Sequence, residues 1–268
     1  MGHEGGPTKL PVGLRLLASQ ARPKLRNAKR ATWWEIFNAS DIGAERRMIA
    51  NEFVPPSLSV LDAGCGRGFF SFACAKEAKQ VTCLDLMDGA DRAGWWQEFR
   101  DSARLLKVDG KLLGVRGDCA SLPFGKNCFG LVASVHGVRN FQRRGDIKCF
   151  FAEALRTLKR SGRIVLAESD LEDERCRGYR AFYSLRVDLG WELRLPSFST
   201  MATWLRKLGF VDVSLTSFET GLKYAPVYFP YDPSRMKGVK VAYDKADKLR
   251  EDERELHPPV VVLTATKP

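Results

Sequence analysis

Short apolar runs rich in β-formers recur along the chain with room for a helix between each pair. Five stand at Ser59–Ala63, Val81–Asp85, Leu113–Gly117, Leu131–Val135 and Arg163–Ala167. A sixth, Val211–Leu215, alternates apolar and polar residues, and a seventh, Val260–Ala265, closes the chain. Between strands the period becomes helical. Ile147, Phe150, Phe151, Ala154, Leu155 and Leu158 share one helical face that Lys159, Arg160 and Gly162 end, and Met201, Trp204, Leu205 and Leu208 form a stripe that Gly209 ends. Strands alternating with helices of this length need crossover connections, which give a mainly parallel sheet covered by helices on both faces. The expected class is α/β, with seven strands. Residues 1–53 read as a basic helical extension that serves as a lid over a ligand, and residues 54–268 as the sheet domain with an irregular insertion at about 218–258.

The first strand runs into a glycine loop, Val60-Leu-Asp-Ala-Gly-Cys-Gly-Arg-Gly-Phe69, where Gly64, Gly66 and Gly68 let the backbone approach a ligand closely. A helix follows, so its N-terminal N–H groups face whatever sits over the loop. A dinucleotide fingerprint wants glycine at the sixth motif position, for close packing of helix on strand, and Phe69 stands there instead. The second strand ends at Asp85, about 20 residues on, where a carboxylate can accept both ribose hydroxyl protons. Leu86 follows as an apolar face, and the third strand leads into Gly117-Asp118-Cys119-Ala-Ser-Leu-Pro-Phe124. These segments lie at the carboxyl ends of successive strands, the crevice where open α/β sheets bind ligands.

The G-x-G-x-G spacing behind Asp62 resembles the first motif of class I S-adenosylmethionine-dependent methyltransferases. That resemblance implies a Rossmann-like fold with S-adenosylmethionine as cofactor. It also implies that Asp62 serves the cofactor's amine through the loop or a water, Asp85 its ribose, Leu86 its adenine face and Asp118 its adenine amino group. Cys65, Cys119, Ser134 and Trp34 join these as cofactor-binding candidates. The stretch His136-Gly-Val-Arg-Asn140-Phe141 is similar to the Gly-x-Arg-Asn segment of the ubiquinone and menaquinone C-methyltransferase group, also called type 11. The run Phe151–Glu168 resembles the same group. So does Trp33-Trp34-Glu-Ile-Phe-Asn38, similar to an aromatic-rich segment that closes over the cofactor. The resemblance covers roughly residues 30–215.

Methyl transfer from a sulfonium is an in-line displacement, so the protein mainly aligns a nucleophile and excludes water. A base matters only where that nucleophile carries a proton. His136 is the candidate base, because an imidazole titrates near neutrality and its motif position is at the methyl end of the pocket. Asn140 is a candidate to orient the acceptor or the loop, Arg139 to meet a carboxylate or phosphate, and Glu168, ending the fifth strand, ranks behind them. No Asn/Asp-Pro-Pro-aromatic motif, which would grip an exocyclic amine, is found.

With 44% hydrophobic residues among 268, the chain has material for one sizeable core, which excludes a disordered or collagen-like protein. No apolar run approaches the ~18 residues of a membrane-spanning helix. The opening MGHEGGPTKL lacks the order of a secretory signal, so the chain is expected in the cytoplasm. Its seven cysteines (65, 74, 83, 119, 128, 149 and 176) form no C-x-x-C pair, so neither a disulfide framework nor a metal site is expected. Charge then changes the picture: 43 bases against 32 acids leave +11, a surplus that suits a polyanionic partner. Lys9, Arg15, Arg22, Lys24, Arg26, Lys29 and Arg30 occur with no acid between them and lead into Trp33 and Trp34. Arg139, Arg143, Arg144, Arg175, Arg177, Arg180 and Arg186 gather around the expected cleft. Phosphate contacts beside stacking aromatics favour structured RNA as substrate, ribosomal before transfer RNA. The alternatives are a small apolar acceptor of the quinone type, met at an anionic lipid surface, and a cofactor-binding scaffold for an RNA-binding partner that has lost transfer chemistry. The proline- and aromatic-rich stretch Tyr224–Pro233 reads as a lid, a substrate wall or a packed loop, and Arg235–Arg254, with seven bases against five acids, as an exposed helix.

Overall fold

The structure, a computed structural model, describes residues 10–27, 29–56, 58–87, 94–171, 173, 176–190, 192–222, 248 and 258–268. Each expected strand forms: β1 (Ser59–Ala63), β2 (Gln80–Asp85), β3 (Leu112–Arg116), β4 (Phe129–Val135), β5 (Leu158–Ser169), β6 (Val211–Phe218) and β7 (Val260–Thr266). They make one sheet in the order β3-β2-β1-β4-β5-β7-β6. The first five are mutually parallel, and β7 runs antiparallel between β5 and β6. The strand order reverses between β1 and β4, so the loops leaving those strands diverge and open a crevice between them.

Alternation along the strands divides the core in two. Val60, Val81, Cys83, Leu131, Ala133, Val165 and Val262 face α1 (Val12–Ala21), α2 (Trp33–Ala39), α3 (Asp41–Phe53), α4 (Phe69–Cys74) and α5 (Trp95–Leu105). Leu61, Leu84, Val132, Ile164, Leu166 and Leu263 face α6 (Arg144–Thr157) and α8 (Phe198–Leu208), and α7 (Arg177–Asp188) precedes α8. The N-terminal extension therefore shares its core with the sheet: Leu14, Leu17, Phe37 and Ile49 are all fully buried in the first cluster. A capping box between Thr32 and Glu35 starts α2, and Ser40 accepts from Gly43 N–H to start α3.

One helix ends earlier than its apolar period indicates. Leu158 takes an extended conformation (φ −66°, ψ 142°) and opens β5 opposite Phe129, so α6 stops at Thr157. The N–H groups of Asn127 and Cys128 take the carbonyls of Arg156 and Thr157, satisfying the helix end. Leu158 is fully buried on either reading, so hydrophobicity alone does not place it. The stretches Tyr224–Pro233 and Arg235–Arg254 lie outside the described residues, apart from Lys248. Among the described residues, no helix is long and apolar enough to cross a membrane.

Candidate functional site

At the carboxyl ends of β1 to β4 lies a cavity of about 200 Å³, lined by Asp62, Gly64, Cys65, Gly66, Asp85, Leu86, Asp118, Cys119, His136 and Asn140, among others. Three carboxylates from three successive strands thus meet in one place. Asp85 is held by its own backbone surroundings, its Oδ2 accepting from Gly66 N–H (2.9 Å) and its Oδ1 from Met87 N–H (2.8 Å). Each oxygen keeps lone-pair capacity for a ligand hydroxyl. Asp118 accepts from Ala120 N–H at 2.8 Å and pairs across a tight bridge with Ser121, which fixes the loop after β3.

Asp62 is almost completely buried and accepts the Ser71 hydroxyl at 2.5 Å. Burial raises its pKa to about 7; the Ser71 hydrogen bond and Arg46 oppose that rise, and the Asp85 charge adds to it. The Cys65 and Cys119 thiols, also pushed well upward by burial, line the cavity as neutral groups.

The glycines divide the work. Gly66 (φ +51°) has nothing within 4 Å of where a Cβ would stand, so any side chain here would take up cleft space. Gly68 (φ +83°) does not line the cavity. A Cβ there would lie 2.5 Å from the Phe99 ring, so this glycine lets α4 and α5 pack closely. Three further cofactor or catalytic candidates also fall outside the cavity lining. The Ser134 hydroxyl is buried and donates to the Ala63 carbonyl (2.8 Å), tying β4 to β1. Trp34 stacks on Phe37 (5.2 Å between ring centroids) beneath the Lys76 ammonium, so it braces α2. Arg139 does meet a carboxylate, but one of its own chain: its Nε–H donates to buried Glu168 at 2.7 Å and its Nη1–H to Tyr179 Oη at 2.8 Å.

His136 lines the cavity in a left-handed conformation (φ +53°), costly for a non-glycine residue and held by its surroundings. Its N–H donates to Ala167, and its carbonyl accepts from Asn140 Nδ2 at 3.1 Å, so Asn140 orients the loop. The imidazole is bracketed: Nε2 lies 2.6 Å from Glu45 Oε1, and Nδ1 faces the Arg139–Glu168 pair, 3.1 Å from Arg139 Nη2. A carboxylate can only accept, so Nε2 donates to Glu45, while Nδ1 stands between the Arg139 guanidinium and, at 3.3 Å, the Glu168 carboxylate. In this arrangement His136 is a donor toward Glu45, and serving as a base would require giving up one of these partners.

Sequence reasoning missed Arg46, Ser71, Phe70 and Trp95. Ser71 stands nine residues after Asp62, on the buried face of α4, and no spacing rule marks it. Arg46 reaches the cavity from α3, far from the motifs. The donor set fits an adenosyl amino acid: hydroxyls and amines find carboxylates, whereas a pyrophosphate would meet Asp62, Asp85 and Asp118. Replacing Asp85 by Asn should weaken binding of S-adenosylhomocysteine, measured by calorimetry, by roughly 10- to 100-fold, since hydrogen bonds to a charged acceptor contribute about 1.5–3 kcal/mol. Unchanged affinity would remove Asp85 from the site.

The family described as "Methyltransferase domain" matches residues 61–166. A demethylmenaquinone methyltransferase of Bacteroides fragilis is 28% identical over 116 residues, covering 42% of this chain and 44% of that protein. The chain thus matches less than half the length of that relative. A SAM-dependent methyltransferase from Archaeoglobus fulgidus has a similar structure (TM-score 0.54, 19% identity, 85% of this chain and 95% of that one). So does Haemonchus contortus phosphoethanolamine N-methyltransferase 2 in complex with S-adenosyl-L-methionine (TM-score 0.55, 17% identity, 84% and 52%). Both likenesses show the fold.

Proposed function

We propose that residues 61–166, which match the family described as "Methyltransferase domain", form a methyltransferase of the class I, S-adenosylmethionine-dependent kind, and that the chain methylates an oxygen or carbon of a small acceptor. One observation carries this reading: carboxylates from β1, β2 and the loop after β3 share a single cavity with His136, which leaves β4. Asp62, Asp85 and Asp118 would hold the cofactor, which supplies an electrophilic methyl group when bound. His136, Asn140 and Phe141 line the part of the cavity beyond β1, where an acceptor would sit. Alignment of acceptor and donor, with water excluded, then accounts for most of the acceleration. A demethylmenaquinone methyltransferase among the relatives favours an apolar acceptor of the quinone type.

Cleft charge also argues for a small acceptor over RNA. Arg139 is paired with buried Glu168 and Arg186 with buried Glu192, so these two bases are engaged within the chain, while Arg143 contacts Asp146 but stays exposed. Arg144 is exposed and Arg180 half-buried, while Arg175 and the Arg177 side chain lie outside what is described. RNA remains a second reading because Arg22, Arg26, Lys29 and Arg30 are all exposed along one short segment.

Labelled S-adenosylmethionine incubated with the protein and with lipid, metabolite and RNA fractions of its own cells separates these readings. Label is expected in the lipid or metabolite fraction. Label in RNA, together with RNA binding that weakens with salt and on replacing those four bases by Gln, would establish the second reading instead. No label in any fraction, despite cofactor binding, would leave a cofactor-binding scaffold.

A further inference from the structure

Two donors that line the cavity, Arg46 and His136, converge on one oxygen that does not line it, Glu45 Oε1. His136 Nε2 is 2.6 Å from that atom, and Arg46 Nη1, approaching from the same helix, is also 2.6 Å away. The arginine contact is an ion pair bent out of hydrogen-bond geometry, so a buried N–H at the cleft wall lacks a well-directed acceptor. Adjacent helix residues do not normally face each other, yet Glu45 and Arg46 both turn toward His136. Glu45 itself is buried, with 2% of its side chain exposed. The far side of the imidazole meets Arg139 and Glu168, which fixes the ring with Nε2 toward this position.

Convergent donors around one oxygen are the arrangement that stabilises a negative oxygen in a site shielded from water. We propose that Arg46 and His136 form a two-donor site for an anionic oxygen of the acceptor, and that Glu45 fills it until the acceptor arrives. This rests on the methyltransferase reading and narrows it, since the acceptor then carries a carboxylate, phenolate or enolate oxygen near the atom that is methylated. Sheet order places the pair correctly. Asp118 follows β3, Asp85 ends β2 and Asp62 stands near the end of β1, and His136 lies one strand further, just after β4. The proton on Nε2 then stabilises charge already present on the acceptor. An acceptor that already carries its charge needs no proton transfer to the imidazole, both of whose nitrogens are engaged.

The test uses the full chain loaded with S-adenosylhomocysteine and benzoate as the anionic probe, with benzamide as its neutral counterpart, followed by calorimetry. Benzoate should bind, about tenfold more tightly in Glu45→Gln, which removes the competing charge, and at least about tenfold more weakly in Arg46→Gln. Benzamide should respond to neither substitution. Should Glu45→Gln fail to fold by circular dichroism, Glu45→Asp, with its shorter arm, predicts the same direction. Benzoate affinity indifferent to both positions would overturn the proposal, as would an equal response from benzamide. So would a Glu45→Gln variant that tightens S-adenosylhomocysteine but not 5′-methylthioadenosine, because the site would then hold the cofactor's own carboxylate. Failure of S-adenosylhomocysteine to bind the wild-type chain would overturn both this proposal and the reading beneath it.

Discussion

Arg139→Met is expected to destabilise the chain by about 3–5 kcal/mol, the usual cost of leaving one member of a buried ion pair without its partner. For a chain of this size that lowers the melting temperature by roughly 10 °C. Glu168 is the group left stranded. It is fully buried; its Oε2 takes both the Nε and Nη2 donors of Arg139, and its Oε1 has no hydrogen-bond partner. Burial alone would raise its pKa, but the Arg139 charge, with the nearby His136, holds it below the ordinary carboxylate value. Once Arg139 is gone, burial prevails and Glu168 protonates on folding, so the deficit should grow with rising pH and shrink in acid. The double variant Arg139→Met with Glu168→Gln should recover at least about 1–2 kcal/mol relative to the sum of the single changes. Thermal melts of the four proteins at two pH values decide it. Additive losses would mean that the pair contributes little beyond packing.

That a buried pair rather than a substrate ligand occupies Arg139 shows where the sequence stops being legible. The strands were readable because their apolar alternation is local, and the three carboxylates because a parallel sheet sends every such strand end to one edge. Partnership is not local. Arg139 and Glu168 are 29 residues apart, and His136 meets Glu45 across 91. An arginine beside a catalytic-looking histidine reads the same whether its guanidinium faces solvent, substrate or an acid of the chain. Trp34 stands outside the cavity lining for a related reason: its ring packs against Phe37, on the same helix, and Lys76, which no periodicity links to it. For Gly68 the hidden partner is Phe99, the ring that requires its missing Cβ, on a helix 31 positions further on.

Asp62 provides the second large effect, through pH. Its pKa, about 7 in the folded chain, lies some three units above the ordinary aspartate value of 3.8, with burial the main cause. The folded state therefore binds the proton more tightly than the unfolded state does. Stability from this group is complete below about pH 4 and is lost as pH rises through about 7, a fall of about 4 kcal/mol at 1.36 kcal/mol per unit. Between pH 5 and 8 the ligand-free chain should become easier to unfold with urea, and Asp62→Asn should flatten that slope and be the more stable protein at pH 8. S-Adenosylhomocysteine should reverse the ranking. Its ammonium group favours the carboxylate, so binding near neutrality should release a proton and restore the wild type, while the Asn variant gains little. Calorimetry in two buffers of different ionisation enthalpy measures that proton directly. If no proton is released and the wild-type slope survives in Asp62→Asn, another group controls the pH dependence, and Asp62 serves the loop through Ser71 and does not serve the ligand.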